Sequence, residues 1–163
     1  MKKVMVIGCP GSGKSTFSIK LHQATGLPLH HLDMMYWNPD KTVVSKVTFR
    51  ERLQAVLEQD AWIIDGNYGS TMGLRMQQCD TVIFLDYPLE VCLAGIRERK
   101  GKSRPDMPWI EPENEEDEEF LAFVKAYPEE GRRQVLELLK AYPEKNIVTF
   151  RTREETDAFL RRL

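Results

Sequence analysis

Val4-Met5-Val6-Ile7-Gly8-Cys9-Pro10-Gly11-Ser12-Gly13-Lys14-Ser15-Thr16 joins a continuous apolar run to a glycine-rich turn and then to a segment with helical periodicity. Residues 8–15 match GxxxxGK[ST] in the strand-loop-helix setting that this pattern requires. In a chain of this length the match arises by chance less than about one time in a hundred. The spacing has a chemical reason: glycines let the backbone curl until successive N–H groups face phosphate oxygens, and the following helix adds positive potential at its N-terminus. Gly8, Pro10, Gly11, Ser12, Gly13, Lys14, Ser15 and Thr16 are therefore expected to hold the phosphates of ATP. Lys14 would bridge the β and γ phosphates and Ser15 would hold Mg²⁺.

Outward from this turn the same alternation continues. Leu27 to Leu32, Trp62-Ile63-Ile64, Thr81 to Leu85 and Ile147 to Phe150 are short, largely unbroken apolar runs, the signature of parallel strands buried on both faces. Segments of 3.6-residue period lie between them, marked by Phe17, Leu21 and Ala24; by Phe49, Leu53, Val56 and Leu57; by Leu89, Leu93 and Ile96; by Phe120, Phe123, Val124 and Tyr127; and by Val135, Leu138, Leu139 and Tyr142. Gly26 is placed to end the first helix, and Thr152 with Glu155 forms a capping box for the last. The pattern predicts one α/β domain over residues 1–163, a doubly wound parallel sheet of five strands with its ligands outside the carboxyl ends of the strands.

Three carboxylates fall at such ends. Asp33 closes the second run, Asp65 the third and Asp86 the fourth. A phosphotransferase needs one carboxylate to orient or deprotonate the acceptor and another to hold the hydration shell of the metal. Asp33 and Asp65 are the candidates, with Asn67, Tyr68, Tyr36 and Trp37 nearby, the last two serving equally well as core. Asp86 precedes Tyr87-Pro88 and is expected to cap the helix that carries Leu89.

Arg97 to Arg104 holds five basic residues and one acidic, and Glu111 to Glu119 holds seven acidic residues among nine. Arg97, Arg99 and Arg104, followed by Gly101 and Pro105 in the same stretch, are expected in a mobile loop, where arginines can neutralise charge developing on a transferring phosphoryl group. The acidic run fits a solvated face or a helix N-terminus. His22, His30 and His31 lack metal-ligand spacing and are read as core or surface residues.

The 163 residues are 42% hydrophobic and 29% charged, with 23 Lys+Arg against 25 Asp+Glu and a formal charge of -2. Such a chain buries about 70% of its unfolded surface and needs neither disulfide nor metal to fold. The charge balance does not support a DNA partner, and no helix-turn-helix or zinc pattern is present. Cys9, Cys79 and Cys92 are widely spaced and odd in number, as expected of reduced thiols in a cytoplasmic protein. Neither a signal peptide nor a membrane span is expected. No pattern specifies an oligomeric state.

The order of these motifs resembles the adenylate-kinase-related P-loop kinases: the phosphate loop, Trp62-Ile63-Ile64-Asp65-Gly66-Asn67-Tyr68, then Cys79-Asp80-Thr81-Val82-Ile83-Phe84-Leu85-Asp86-Tyr87-Pro88, then an arginine-rich segment. More narrowly, His31-Leu32-Asp33 with Trp37, and Gly101-Lys102-Ser103-Arg104-Pro105-Asp106-Met107, are similar to the DNA topology modulation proteins, the FlaR-like branch. The likeness implies strand order 2-3-1-4-5, an acceptor-binding segment at 33–46 and a helical lid insertion at 97–114 that closes over ATP and excludes water. It also places Arg99 on the donor nucleotide and Arg151, in Phe150-Arg151-Thr152, near adenine. Nucleoside monophosphate kinases carry Asp-Gly-Phe-Pro-Arg after the third strand, and a further arginine after the second-strand Asp; here Gly69 and Met34-Met35-Tyr36-Trp37 stand instead. Either Arg75 substitutes in gripping an acceptor phosphate, or the acceptor offers a free hydroxyl to a partly aromatic pocket. The implied activity is transfer of the γ-phosphoryl of Mg-ATP to a small-molecule, nucleoside or nucleotide acceptor. The alternative is a nucleotide-binding regulator of DNA topology without kinase activity.

Overall fold

The computed structural model describes residues 1–113 and 117–163. Its strands are β1 (Lys3–Gly8), β2 (Leu29–His31), β3 (Trp62–Asp65), β4 (Thr81–Leu85) and β5 (Asn146–Phe150). They form a single sheet in the order β2-β3-β1-β4-β5, with every neighbouring pair parallel. This is the expected 2-3-1-4-5 arrangement. Val4 to Ile7 of the central strand are 0% exposed, which explains why that run carries no polar alternation.

Successive strand residues point to opposite faces, and each face has its own core. Met5, Ile7, Trp62, Ile64, Val82 and Phe84 pack on one side against α3 (Lys46–Leu57), α4 (Gly69–Gln78) and α7 (Gly131–Ala141), through Phe49, Leu53, Met72, Met76, Val135 and Leu139. Val4, Val6, Ile63, Ile83 and Leu85 pack on the other side against α1 (Lys14–Thr25), α5 (Leu89–Arg99) and α6 (Glu118–Ala126), with α8 (Arg153–Arg161) adding Phe159 and Leu160. Helices on both faces of a parallel sheet are the doubly wound arrangement that the alternation predicted.

Two helices go beyond the sequence reading. α2 (Leu32–Tyr36) is a five-residue helix that starts where the second apolar run ends, so Asp33 lies in a first helical turn. α4 contains Gly69 and Gly73 among mostly polar residues and buries only Thr71, Met72, Arg75 and Met76, too sparse a stripe to read as a helix. The expected caps at Gly26 and Thr152 are present: Gly26 adopts φ 76, and Thr152 Oγ1 accepts from the Glu155 amide at 3.2 Å. Asp86 does not cap α5. Pro88 occupies that position with no side-chain cap, and Asp86 instead receives Arg132 at the start of α7, with Nε to Oδ1 at 2.8 Å and Nη2 to Oδ2 at 3.0 Å. Phe123 leaves the expected apolar stripe and is 58% exposed.

The phosphate loop is wedged against α5. A Cβ at Gly95 would stand 2.1 Å from the Gly11 carbonyl oxygen, and a Cβ at Gly11, which adopts φ +85, would stand 2.0 Å from the Cys92 carbonyl oxygen. Gly95→Ala must therefore push backbone against backbone, a class of overpacking that costs about 1–3 kcal/mol. At about 2–4 °C per kcal/mol for a domain of this size, calorimetry should show a fall in Tm of at least a few degrees. An unchanged Tm would mean that the loop is free to move off α5.

Candidate active site

A cleft of about 1710 Å³ lies outside the carboxyl ends of the strands. Its floor is residues 10–17, its two ends are Asp33 with Tyr68 and Arg153 with Thr156, and residues 102–107, Trp109 and Glu111 cover it. Gly13 stands at the N-cap of α1 with φ 91 and gives no side-chain cap, so the first-turn N–H groups of that helix are left for a ligand. Ser12 Oγ is buried without a hydrogen-bond partner among the described residues. Lys14 folds back over the loop, donating from Nζ to the carbonyl oxygens of Gly8 at 2.9 Å and Cys9 at 3.2 Å. Burial pulls its pKa down, while Cys9, Asp33 and Asp65 act in the opposite sense. Cys9 is buried, and its hydrogen bond with Cys92, together with burial, pushes its thiol up, so it remains protonated.

Asp65 ends β3 and is buried. It meets His31 at the end of β2, its register partner, with Nδ1 to Oδ2 at 2.7 Å. Burial pulls His31 down, but the hydrogen bond and charge of Asp65 outweigh it and hold the imidazole above its ordinary value. His31 thus stands behind the cleft, bonded to its lining residue Asp65, rather than isolated. The register of neighbouring strands 2 and 3 was the signal that could have revealed it.

Asp33 accepts a hydrogen bond at Oδ1 from the Tyr68 hydroxyl. Burial lifts the Asp33 carboxyl above the usual range, the Tyr68 bond lowers it, and Asp106 raises it again. Tyr68 adopts φ 37, a left-handed conformation that costs a tyrosine about 1–2 kcal/mol. It is held there by Arg75, which donates to the carbonyl oxygens of Gly66 at 2.9 Å, of Tyr68 at 3.2 Å and of Asn67 between them. Arg75 is 0% exposed and does not line the cleft, so it is not available to grip an acceptor phosphate. Asn67 in turn binds Gly8 in both senses, donating from Nδ2 to its carbonyl oxygen at 2.7 Å and accepting its amide at 3.2 Å. One loop therefore ties the phosphate turn to Asp33.

The basic stretch is not a free cationic loop. Arg97 and Arg99 belong to the last turn of α5, and the chain beyond runs from Lys100 to Glu113 largely as turns, so the helices of the insertion are its flanks, α5 and α6. Arg104 pairs with Asp106 at 3.0 Å and with Glu111 at 2.7 Å, while Arg99 lies 3.1 Å from Glu111 and stacks its guanidinium over Phe120 at 5.4 Å. The acidic run thus closes on the basic one through Glu111, and Asp117 caps α6. Asn114 at the end of the expected lid, and Glu115 and Glu116 of the acidic run, lie outside the described residues. Arg97 is exposed and is not among the cleft's lining residues. The same holds for Arg151; Arg153 and Asp157, from the first turns of α8, line that end instead. Trp109 comes over from the insertion to meet Trp37 edge-on at 5.1 Å, a contact that nothing in the sequence signalled.

Among the described residues, no group of three or more His, Cys, Asp or Glu side chains is arranged to hold a metal ion. The Ser15 hydroxyl and Asp65 carboxylate nevertheless face the same cleft and are the hard oxygen donors that Mg²⁺ accepts alongside water and phosphate. No helix of the described residues is long and apolar enough to cross a membrane.

The fold and cleft define a nucleotide-kinase-like α/β architecture, and solved structures share it. Shikimate kinase from Acinetobacter baumannii, in complex with shikimate, aligns with a TM-score of 0.63 at 18% identity, covering 99% of this chain and 92% of that one. Shikimate kinase from Bacteroides thetaiotaomicron aligns with a TM-score of 0.59 at 18% identity, covering 98% and 94%. An unliganded sugar kinase from Janibacter sp. aligns with a TM-score of 0.55 at 16% identity, covering 99% and 91%. No family model and no curated relative matches the chain.

Proposed function

We propose that this chain is a cytoplasmic ATP-dependent phosphotransferase that moves the γ-phosphoryl of Mg-ATP to the hydroxyl of a small-molecule acceptor. The observation that carries this reading is one continuous cleft with an uncapped helix N-terminus and Lys14 on its floor and a half-buried carboxylate, Asp33, at one end. Residues 10–16 hold the donor phosphates, with Gly8 anchoring the turn. Ser15 and Asp65 would hold Mg²⁺, which would supply charge neutralisation for the transferring phosphoryl group. The acceptor oxygen bonds to the γ phosphorus as the bond to the β–γ bridging oxygen breaks. The hydroxyl proton passes to Asp33, and ADP leaves. Arg99 reaches the cleft and faces the transferred group once that group competes with Glu111 for it, while Arg104 stays on Asp106 and Glu111 and holds the insertion in shape; residues 97–114 act as the lid and 33–46 as the acceptor segment. Arg97 and Arg151 have no part, because neither side chain lines the cleft.

The second reading, a nucleotide-binding regulator of DNA topology, rests on the FlaR-like resemblance of residues 31–37 and 101–107. It is weakened by the pairing of Arg99 and Arg104 with Asp106 and Glu111, since phosphate-backbone binding needs unpaired cations.

ADP release measured against nucleosides, nucleoside monophosphates, sugars and hydroxy acids decides between them, with the Lys14→Ala chain as the blank for contaminating kinases. Acceptor-dependent ADP release above the no-acceptor rate is expected. If no acceptor raises it while duplex DNA binds at physiological salt, the phosphotransferase reading falls.

A further inference from the structure

The end of the cleft around Asp33 is built from rings and carboxylates. Phe49, Tyr68, Tyr36, Trp37 and Trp109 form a chain of ring contacts, with centroids 5.3, 5.0, 5.2 and 5.1 Å apart in that order. Its outer members come from two different segments, Trp37 from the stretch after α2 and Trp109 from the insertion, and both are half-buried and line the cleft. The carboxylates here are Asp33, Asp65 and Asp106; the fields of Asp106 and Asp65 both bear on Asp33, with Lys14 on the cleft floor acting against them.

Seating a phosphate or carboxylate in such a place takes an arginine fork or a comparable set of donors. The arginines nearest are committed. Arg75 is wholly buried on three carbonyl oxygens. Arg104 directs Nε and Nη2 to the two oxygens of Asp106 and Nη1 to Glu111. Lys41 and Lys102 line the cleft but are exposed, where water screens them. An anionic group brought beside Asp33 would meet the like charge of Asp33 and Asp106, with Lys14 held on the phosphate-loop carbonyls, and repulsion of that kind is how sites reject wrong ligands.

Resting on the phosphotransferase reading, we infer that the acceptor is an uncharged polyhydroxyl ring, a free sugar or the sugar of a nucleoside, seated with its apolar face against the Trp37–Trp109 pair and a hydroxyl on Asp33, and that phosphate- or carboxylate-bearing analogues are rejected. The mixed character of the site, apolar rings around one hydrogen-bonding carboxylate, is what such a ligand requires. Rejection resides in Asp33 and Asp106 together, since the first must stay available for the acceptor hydroxyl and the second keeps Arg104 occupied.

The test is tryptophan fluorescence of the full chain saturated with ADP and Mg²⁺, titrated with matched pairs: thymidine against its 5′-monophosphate, guanosine against its 5′-monophosphate, and glucose against glucuronate. A neutral member of at least one pair should give a saturable change that is absent from the Trp37→Phe/Trp109→Phe chain, and its anionic partner should bind on the order of 100-fold more weakly. Asp106→Asn, which removes a negative charge and leaves Arg104 with Glu111 as its one carboxylate partner among the described residues, should narrow that ratio at least several-fold. The inference is overturned if an anionic member binds as tightly as its neutral partner, if no pair gives a saturable signal, or if Asp106→Asn leaves the ratio unchanged. ADP release measured on the same pairs separates the two claims. Saturable neutral binding without turnover of any acceptor removes the phosphotransferase reading and leaves the neutral-ring site; efficient turnover of an anionic member does the reverse.

Discussion

Asp33→Asn should bind ATP with nearly parental affinity and lose turnover by about 10²–10⁴-fold, the usual contribution of a positioned general base. The substitution keeps the size and shape of the side chain. Its amide oxygen can still accept the Tyr68 hydroxyl, so the ring contacts of Tyr68 with Tyr36 and Phe49 have no reason to change. What disappears is the ability to take a proton. Burial already lifts the Asp33 carboxyl above its ordinary range, which moves it toward the basicity that proton transfer near neutral pH demands. The phosphate loop is a separate element, held by Gly8 to Asn67 and by Lys14 to the Gly8 and Cys9 carbonyls, and none of these contacts passes through Asp33. The measurement is kcat and KM for both substrates, using whichever acceptor gives the highest ADP release. A kcat within a few-fold of the parent would remove Asp33 from the chemistry, and a large rise in KM for ATP would relocate it to the donor end.

Much of this architecture is written locally. Val4 to Ile7, Ile63 and Ile64, and Val82 to Phe84 are 0% exposed because a central parallel strand has helices on both sides, and that condition leaves an unbroken apolar run in the sequence. The phosphate turn is equally local, since its chemistry depends on consecutive amides. Pairings across distance left no such trace. His31 and Asp65 are separated by 34 positions and meet only through the strand order. Asp86 looked like a cap from its neighbours Tyr87 and Pro88, yet its partner Arg132 lies 46 positions away. Glu111 belongs by composition to an acidic run, and only the turns between Lys100 and Glu113 bring it onto Arg99 and Arg104. Arg75 was the most misleading, because an arginine soon after the third strand suits phosphate gripping in sequence, whereas the loop before it, with Tyr68 at positive φ, needed a clamp.

That clamp should be the costliest single residue to remove outside the hydrophobic core. Arg75→Met preserves the length and apolar stem of the side chain but strands the carbonyl oxygens of Gly66, Asn67 and Tyr68, all of which Arg75 now serves. Hydrogen bonds to a charged donor contribute about 1.5–3 kcal/mol each, and an orphaned buried group costs about 1–3 kcal/mol. Against this stands the relief of no longer burying a guanidinium, whose pKa burial has already pulled down to about 9. A net loss of about 3–5 kcal/mol is expected, a large part of the 5–15 kcal/mol that holds an ordinary domain folded. At about 2–4 °C per kcal/mol, thermal unfolding should come at least 6 °C or so earlier. Activity should fall as well, for a reason distinct from stability. Tyr68 stays at φ 37 because its carbonyl and the two before it are pinned; once released, the residue relaxes toward negative φ and carries its hydroxyl away from Asp33. Arg75→Lys separates the two effects, since an ammonium keeps the buried charge and reaches one or two of the carbonyls without spanning all three. It should recover part of the lost Tm while leaving kcat depressed at temperatures where both variants are folded. An Arg75→Met chain that unfolds with the parent and turns over at the parental rate would show that the loop from Gly66 to Tyr68 holds its shape unaided.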